Sequence, residues 1–317
     1  MATKKIITIF GATGGQGGGL AQAILNDSNS EFTVRAVTRN ADTNKVKALA
    51  SQGAEIVVAD IDDPGSLHQA FQGAYGAYCV TFYWDHFSPE KELDQARSMA
   101  NAAKEHGLEH VIWSTLEDTR QSVPLSDNRM PTLMGNYKVP HFDAKGEANK
   151  FFVEAGVPTT FLLTSFYWDN FMNLGMGPKK GADGSLVFTL PIGEKKLSGI
   201  AVEDIGKCAY GIFKQGTGLT GKTIGIAGGH HSGLEMAGAF ARALKQDVDY
   251  QSMPFDDYRA LDIPGADDLG NMFQFYHDFA EEFQQRRDVE YARTLNPDLQ
   301  SFETWVQRNA GEIPVET

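Results

Sequence analysis

Residues 9–19, IFGATGGQGGG, hold six glycines. Gly11, Gly14 and Gly17 stand in a Gly-x-x-Gly-x-x-Gly spacing between a β-branched run (4–10) and a stretch with helical spacing of apolar residues (19–27). The first glycine permits a tight turn, the second lets a pyrophosphate approach the backbone, and the third lets helix and strand pack closely. A helix N-terminus behind such a loop offers free N–H groups and the positive end of its dipole to an anion. The chemistry this spacing provides is a grip on a dinucleotide.

The end of the second predicted strand (32–39) selects which dinucleotide. An acid there would hold the ribose 2′-hydroxyl of NAD. This chain has Thr38 and Arg39 in VTRN. Arg39 can fork onto a 2′-phosphate and stack on adenine, so NADP(H) is favoured over NAD(H). Asp42 lies just beyond and dilutes the basic field. Asp60 and Ile61, closing a third predicted strand (54–61), are placed to line the adenine, with capping of the next turn as the alternative for Asp60.

A second set of residues could handle protons. Ser114 and Thr115 close a fifth predicted strand (109–116), and His141 and Lys145 lie four apart at the start of a predicted helix (141–156), hence on one face. Short-chain dehydrogenases place Tyr-x-x-x-Lys here. The lysine lowers the tyrosine pKa and holds the nicotinamide ribose, the tyrosine moves the proton that accompanies hydride, and a Ser or Thr orients the carbonyl. In this chain Lys145 is in place and His141 stands where the tyrosine would be. Histidine transfers protons near pH 7, but it is shorter, so the substrate geometry would differ. The bland alternatives are a surface lysine and a structural histidine. Tyr137 lies one helical turn earlier, but Pro140 puts it in the preceding loop, from which it could swing in as a substitute acid.

The elements that must position these groups alternate regularly. Runs 4–10, 32–39, 54–61, 74–83 and 109–116 read as strands, separated by helices at 19–27, 43–53, 63–73 and 89–107. Such alternation predicts a parallel sheet with helices on both faces. The pattern breaks at 117–140, a polar loop with three prolines. It follows a strand's carboxyl end, where ligands bind in open α/β sheets, and reads equally as a lid or as a mobile insertion. A helix (141–156) and a sixth strand (158–166) follow. Beyond them come a hairpin-like excursion (177–200), a helix (202–215), a strand (223–229) and further helices. The fold class expected is α/β: a Rossmann-type doubly wound parallel sheet (1–165) with a smaller C-terminal α/β domain (166–317), of which 198–230 packs back on the first sheet.

The 42% hydrophobic and 22% charged composition is that of a globular chain with a substantial core. A net charge of -13 argues against direct nucleic-acid binding, because acidic surfaces repel phosphate backbones. Cys79 and Cys208 sit in apolar runs and read as buried thiols of a reducing compartment. The run in MATKKIITIF is too short for a signal peptide, and no apolar stretch reaches the roughly 18 residues of a membrane span. A cytosolic protein is expected, with nuclear presence left open. His230 and His231 are adjacent and lack companion ligands at metal-binding spacing, so they read as loop or N-capping residues and no metal site is assigned.

Together the segments FGATGGQGGGLA (10–21), VTRN (37–40), GAEIVVADIDD (53–63), HFDAKGE (141–147), VEDIG (202–206) and IPGADDLGNMFQFY (263–276) resemble the NmrA-like family, atypical members of the extended short-chain dehydrogenase superfamily. The resemblance runs from about residue 4 to 305. It implies dinucleotide binding and loss of the active-site tyrosine. It also implies redox sensing or transcriptional regulation through protein partners, while relatives similar to isoflavone reductases reduce substrates with the lysine. By the match and the strand ends, the cofactor positions are Gly11, Thr13, Gly14, Gln16, Gly17, Arg39, Asp60, Ile61, Thr81, Phe82, Lys145 and Tyr167. The chain departs from many relatives in having Thr164 and Ser165 where they have Arg-Pro.

Two readings follow. The favoured one is an NADP(H)-binding, redox-sensing regulator that meets a protein partner. The other is an NADPH-dependent reductase of a carbonyl or activated double bond. In that reading Lys145 holds the ribose, Ser114, Tyr137 or His141 handles the proton, and Phe82, Tyr83, Trp84, Phe166, Tyr167 and Trp168 line a pocket for a small apolar or aromatic substrate. Both a monomer and a homodimer fit.

Overall fold

The structure is a computed structural model and describes residues 3–181 and 183–315. Ala182, inside the predicted 177–200 excursion, and two residues at each terminus lie outside that set. The first six strands are β1 (Lys5–Ile9), β2 (Phe32–Thr38), β3 (Glu55–Val58), β4 (Gly76–Cys79), β5 (His110–Thr115) and β6 (Thr159–Leu163). The helices among them are α1 (Gly15–Asn26), α2 (Asn44–Ser51), α3 (Pro64–Phe71), α4 (Pro89–Glu105) and α5 (Pro140–Ala155). The later strands are β7 (Phe166–Tyr167), β8 (Lys179–Lys180), β9 (Leu186–Thr189), β10 (Lys196–Ile200), β11 (Thr223–Gly225), β12 (Gly229–Ser232) and β13 (Val248–Gln251). The later helices are α6 (Asn170–Asn173), α7 (Val202–Gln215), α8 (Gly233–Leu244), α9 (Phe255–Arg259), α10 (Ala266–Asp278), α11 (Ala280–Gln285), α12 (Val289–Leu295) and α13 (Phe302–Asn309).

Seven strands form one parallel sheet in the order β11-β6-β5-β4-β1-β2-β3. This is the doubly wound α/β class expected. Side chains alternate across a strand, so one sheet face takes Ile7, Ile9, Tyr78 and Ile112 against residues of α1 and α7. The other takes Ala77, Cys79, Val111 and Trp113 against α3, α4 and α5. Two three-stranded sheets, β12-β10-β7 and β13-β9-β8, belong to the C-terminal half, whose core is aromatic and includes Phe171, Phe188, Phe240, Phe302 and Trp305.

Four expectations about elements change. α1 begins at Gly15, four residues before the predicted start at 19, because the glycines are its first turn and not only its leading loop. The predicted strand 158–166 is two strands, β6 and β7, which pair in different sheets. The excursion 177–200 is also divided: β8 and β9 pair with each other, but β10 leaves to pair with β7 and β12. The loop 117–140 is neither a loose insertion nor a free lid. Val123 and Met130 are buried in the C-terminal core, and Lys138 Nζ is fixed by the carbonyls of Asp127 and Met130 at 2.7 and 2.8 Å.

The surplus glycines have a packing role. A Cβ on Gly15 would meet Val202 at 2.5 Å, one on Gly19 would meet the Glu203 carbonyl at 2.2 Å, and one on Gly206 would meet the Leu20 nitrogen at 2.1 Å. Helices α1 and α7 therefore approach backbone to backbone. Gly19→Ala must push them apart, and overpacking of this kind costs about 1–3 kcal/mol. A lowered urea midpoint at unchanged slope is the expected result, and an unchanged midpoint would count against the close approach.

Candidate functional site

The glycine loop crosses from β1 to α1 at the carboxyl edge of the sheet. Gly11 has φ 65°, the left-handed region that favours glycine. A Cβ on Gly17 would lie 2.5 Å from the Gly11 carbonyl, so no other residue fits there. Gly14 caps α1 without a side chain, which leaves the first-turn N–H groups to an incoming anion. Cradle and dipole thus fit a pyrophosphate. Beside it, the Thr13 carbonyl accepts from Lys45 Nζ at 3.4 Å. The sequence reading missed Lys45, a second basic group next to Arg39, because it sits on α2 rather than at the strand end.

The Gln16 side chain turns inward, under the loop. Its Oε1 accepts from Ser114 Oγ at 2.8 Å and from the Tyr78 hydroxyl, and its Nε2 donates to the Tyr167 hydroxyl at 2.6 Å. Three predicted residues, Gln16, Ser114 and Tyr167, are thereby joined into a floor, together with Tyr78. Burial pushes both the Tyr78 and Tyr167 phenols up, so they stay protonated.

Lys145 reaches across to the segment after β4. Its Nζ donates to the Thr81 carbonyl at 3.0 Å, to Thr81 Oγ1 at 2.6 Å and to Glu92 Oε1 at 2.5 Å. An ammonium has three protons, and all three are used. Glu92, on α4, is fully buried. Burial alone would raise its carboxyl, but the charge of Lys145 beside it, with the hydrogen bonds from Lys145 and Thr81, outweighs that and holds it down at about 2. His86 Nδ1 accepts from Ser88 N at 3.1 Å, which leaves the proton on Nε2, 3.5 Å from Glu92 Oε2. Thr81 and Lys145, two predicted positions, therefore meet around a carboxylate the sequence did not single out.

His141 is held by the C-terminal half. Its Nδ1 lies 2.7 Å from Asp268 Oδ1, and its main-chain nitrogen donates to Asp268 Oδ2 at 3.2 Å. Asp268, Asn271 and Gln274 recur every three residues on α10 and share a task. Asn271 donates to the Pro131 carbonyl at 2.9 Å and to the Lys138 carbonyl, and Gln274 donates to the Arg129 carbonyl at 2.8 Å. The motif 263–276 is thus the clasp that fastens the 117–140 loop and the start of α5. Asp143, in the first turn of α5, accepts from the main-chain N–H groups of Thr119 at 2.7 Å and Lys138 at 2.7 Å. Tyr137 packs under the Arg120 guanidinium, 5.1 Å from its ring centre, and pairs main chain with Leu133. Its contacts lie with Arg120, not with Lys145.

At the carboxyl end of β2, Arg39 is 70% exposed and touches Asp85 at 3.5 Å. Asp60 accepts from Asp62 N at 3.0 Å in a local turn, the alternative weighed for it. Ile61 packs half-buried on the core, and Phe82 is 60% exposed. Two of the aromatics expected in a pocket are elsewhere: Phe166 and Trp168 are buried in the C-terminal core, because β7 turns them away from the sheet edge. His230 and His231 lie on β12 and not in a loop. His230 Nδ1 is 2.8 Å from Ser198 Oγ, and the helix cap that follows is Ser232. Among the described residues no helix is long and apolar enough to cross a membrane, and no three His, Cys, Asp or Glu gather as a metal site.

The sequence model of the NmrA-like family matches residues 3–306. An NmrA-like family domain-containing oxidoreductase of Aspergillus campestris is 27% identical over 293 residues, covering 86% of this chain and 83% of its own length. Among solved structures, the negative transcriptional regulator NmrA in complex with NADP superposes with a TM-score of 0.78 at 21% identity, over 96% of this chain and 95% of that one. The same regulator is also known in complex with NAD. A Citrobacter sp. triphenylmethane reductase complexed with NADP(H) superposes with a TM-score of 0.75 at 18% identity, over 96% of this chain and 99% of that one. These likenesses establish the shared fold.

Proposed function

The chain belongs to the NmrA-like family, and we propose that it is an NADP(H)-dependent reductase. The observation that carries this reading is the position of Lys145. It is fixed by Thr81 and Glu92 at the root of the 82–87 loop, and Val80, just before that loop, touches the glycine cradle 3.3 Å from where a Gly11 Cβ would stand. A reduced nicotinamide supplies a hydride when bound. The N–H groups of the α1 first turn would take the pyrophosphate, Arg39 and Lys45 a 2′-phosphate, and Lys145 the ribose hydroxyls. The inward Gln16 braces the loop on Ser114 and Tyr167. The name of the Aspergillus relative and the NADP(H) complex of the Citrobacter reductase support the reductase, and the NADP complex of the regulator supports the dinucleotide. The buried, unpaired Cys79 and Cys208 suit the reducing cytosol.

The test is calorimetric titration of NADPH, NADP+, NADH and NAD+ into cofactor-stripped protein, followed by a screen for NADPH oxidation. NADPH is expected to bind about tenfold or more tighter than NADH. Arg39→Ala and Lys45→Ala should each erode that preference and leave NADH affinity unchanged. Equal affinities in the wild type would sink the NADP(H) assignment, and absence of NADPH oxidation over a broad panel would sink the reductase.

One observation favours the sensing regulator as a second reading. With all three Lys145 donors used, a ribose hydroxyl can enter only by displacing Thr81 or Glu92. Dinucleotide binding would then move the 81–87 loop, and with it a surface open to a protein partner. A ligand shifts only an equilibrium whose states it binds unequally. Hydrogen-exchange protection of that loop that differs between NADPH and NADP+, without turnover, would favour the regulator.

A further inference from the structure

A buried histidine with a purely structural task is ordinarily satisfied at both ring nitrogens, because a buried polar atom without a partner is costly. His141 is satisfied at one. Its ring is buried, with centroids 4.8 Å from Trp84, 4.7 Å from Phe142 and 6.0 Å from Tyr83. Asp268 grips the residue twice, facing Nδ1 with Oδ1 at 2.7 Å and accepting from the main-chain N–H with Oδ2 at 3.2 Å. A carboxylate only accepts, so the proton of the neutral ring sits on Nδ1. Nε2 has no partner among the described residues. It is nevertheless not sealed from solvent, as the unpartnered ring nitrogens of His86, His110 and His231 are. His141 and Lys145 stand one turn apart on α5, and both meet the segment after β4: Lys145 at Thr81, His141 at Tyr83 and Trp84.

The hydroxyls nearby are committed or weak as acids. Ser114 Oγ and the Tyr78 hydroxyl donate to Gln16, and Tyr137 lies under Arg120. Burial pushes the Tyr167 phenol up, and burial followed by Asp268, Glu92, Asp267 and Glu90 does the same to Tyr83. Both leave the range in which proton transfer is efficient at neutral pH. The charged groups around the His141 ring are Asp268 and Asp267 on α10, Asp143 and Lys145 on α5 and, across Tyr83, Glu90 and Glu92 on α4. Lys145 is paired with Glu92, and Asp143 is taken up by the main-chain N–H groups of Thr119 and Lys138. Asp268 is the charge in contact with the ring.

We propose that His141, through Nε2, is the catalytic proton donor to a neutral aldehyde or ketone, and that Asp268 is its positioning residue. The assignment rests on the reductase reading, whose reduced nicotinamide is the co-reactant. The carbonyl carbon takes the hydride in a new C–H bond, and the C=O π pair moves onto oxygen. The Nε2 proton of the imidazolium passes to that oxygen as a new O–H bond. The ring is left neutral with Nδ1–H still on Asp268, and solvent returns a proton to Nε2. The positive charge passes from the imidazolium to the oxidised nicotinamide, so atoms, electrons and charge balance. A carboxylate on Nδ1 suits this task, because it fixes the tautomer, aims the ring and steadies the imidazolium.

The experiment uses the full chain with NADPH and 4-nitrobenzaldehyde as the neutral acceptor, and nitrogen-15 NMR of the imidazole in the protein without ligand. His141→Asn keeps a donor where Nδ1 stands and removes Nε2, so the grip of Asp268 is retained. It should lower kcat about 100-fold or more and leave NADPH affinity and the urea midpoint unchanged. Wild-type kcat should fall as pH rises and the ring loses the proton it gives. In Asp268→Asn that fall should begin at lower pH, because an amide no longer steadies the imidazolium. The ring resonances, identified by their loss in His141→Asn, should show the Nδ1–H tautomer and a second proton taken up between about pH 8 and pH 5. Neither the resonances nor the His141→Asn comparison needs the Asp268 variant to fold. Wild-type turnover in His141→Asn overturns the proton donor and leaves the reductase standing, as does a neutral ring protonated on Nε2 or a ring that takes no second proton in that window. A profile lowered but not displaced in Asp268→Asn overturns the positioning role. No NADPH oxidation by the wild type with this or any other carbonyl sinks carbonyl reduction and the proton donor with it, and the NADPH titration then shows whether dinucleotide binding survives.

Discussion

Replacing Lys145 with Met is expected to abolish reduction and to destabilise the fold in a pH-dependent way. The activity loss follows from the role proposed for Lys145: without the ammonium a bound ribose would have no anchor, and misplacement of this order costs about 100-fold or more. The stability loss follows from Glu92, which is fully buried and keeps its charge because Lys145 lies at 2.5 Å. Breaking a buried pair from one side costs about 3–5 kcal/mol. The sign with pH is fixed by the depressed carboxyl, at about 2 against the ordinary 4.5. Its contribution is fully present above the unfolded value and is lost as pH falls through the folded one. In Lys145→Met the field of the lysine is gone and burial drives Glu92 upward. The variant then suffers most near neutrality and is relieved as Glu92 takes up a proton. Urea melts should show the gap to wild type narrowing from pH 7 to pH 4. Adding Glu92→Gln should restore much of the stability at pH 7 and none of the activity. An equal gap at both pH values would mean that Glu92 carries no charge in the fold.

That pair also shows what a sequence can and cannot display. Lys145 was legible because it stands four residues after His141, on one helix face, at the Tyr-x-x-x-Lys spacing. Glu92 was not, because PEKELDQARS reads as the solvated face of a helix, and only the approach of α5 makes one of its acids internal. The glycine cradle was legible at Gly11, Gly14 and Gly17 because a turn and a helix start are local. Gly15 and Gly19 answer to α7, whose place beside α1 is set by the whole sheet. Asp268 stood in a recognisable motif, yet its partner lies 127 residues away. Phe166 and Trp168 followed a strand at the ligand edge, but a change of sheet after β6 sends them into a core. Local geometry was readable, and side chains whose meaning depends on a distant element were not.

Arg287→Met should cost about as much as the loss of Lys145, roughly 3–5 kcal/mol, for the same reason at another joint. Arg287 is fully buried and forks onto Glu117 at 2.6 and 2.9 Å. Its Nε donates to the Thr164 carbonyl at 2.8 Å, and its guanidinium lies 3.4 Å from the Phe283 ring centre. One side chain from the C-terminal half thus fixes the carboxyl ends of β5 and β6 together. Met retains the volume but leaves Glu117 charged and buried with no counter-ion. Arg287→Lys keeps the charge without the planar fork, so its loss should fall between wild type and Met. The double variant Glu117→Leu/Arg287→Met, which removes both charges, should be more stable than Arg287→Met alone. The damage reaches the floor of Gln16, Ser114 and Tyr167, because Glu117 follows Ser114 by three residues and Thr164 precedes Tyr167 by three. Both floor residues bond to Gln16 beneath the glycine cradle. Dinucleotide affinity of Arg287→Met should therefore fall, although Arg287 belongs to none of the groups assigned to the dinucleotide. Wild-type stability in that variant would remove the joint; weakened stability with wild-type dinucleotide affinity would cut its link to the floor.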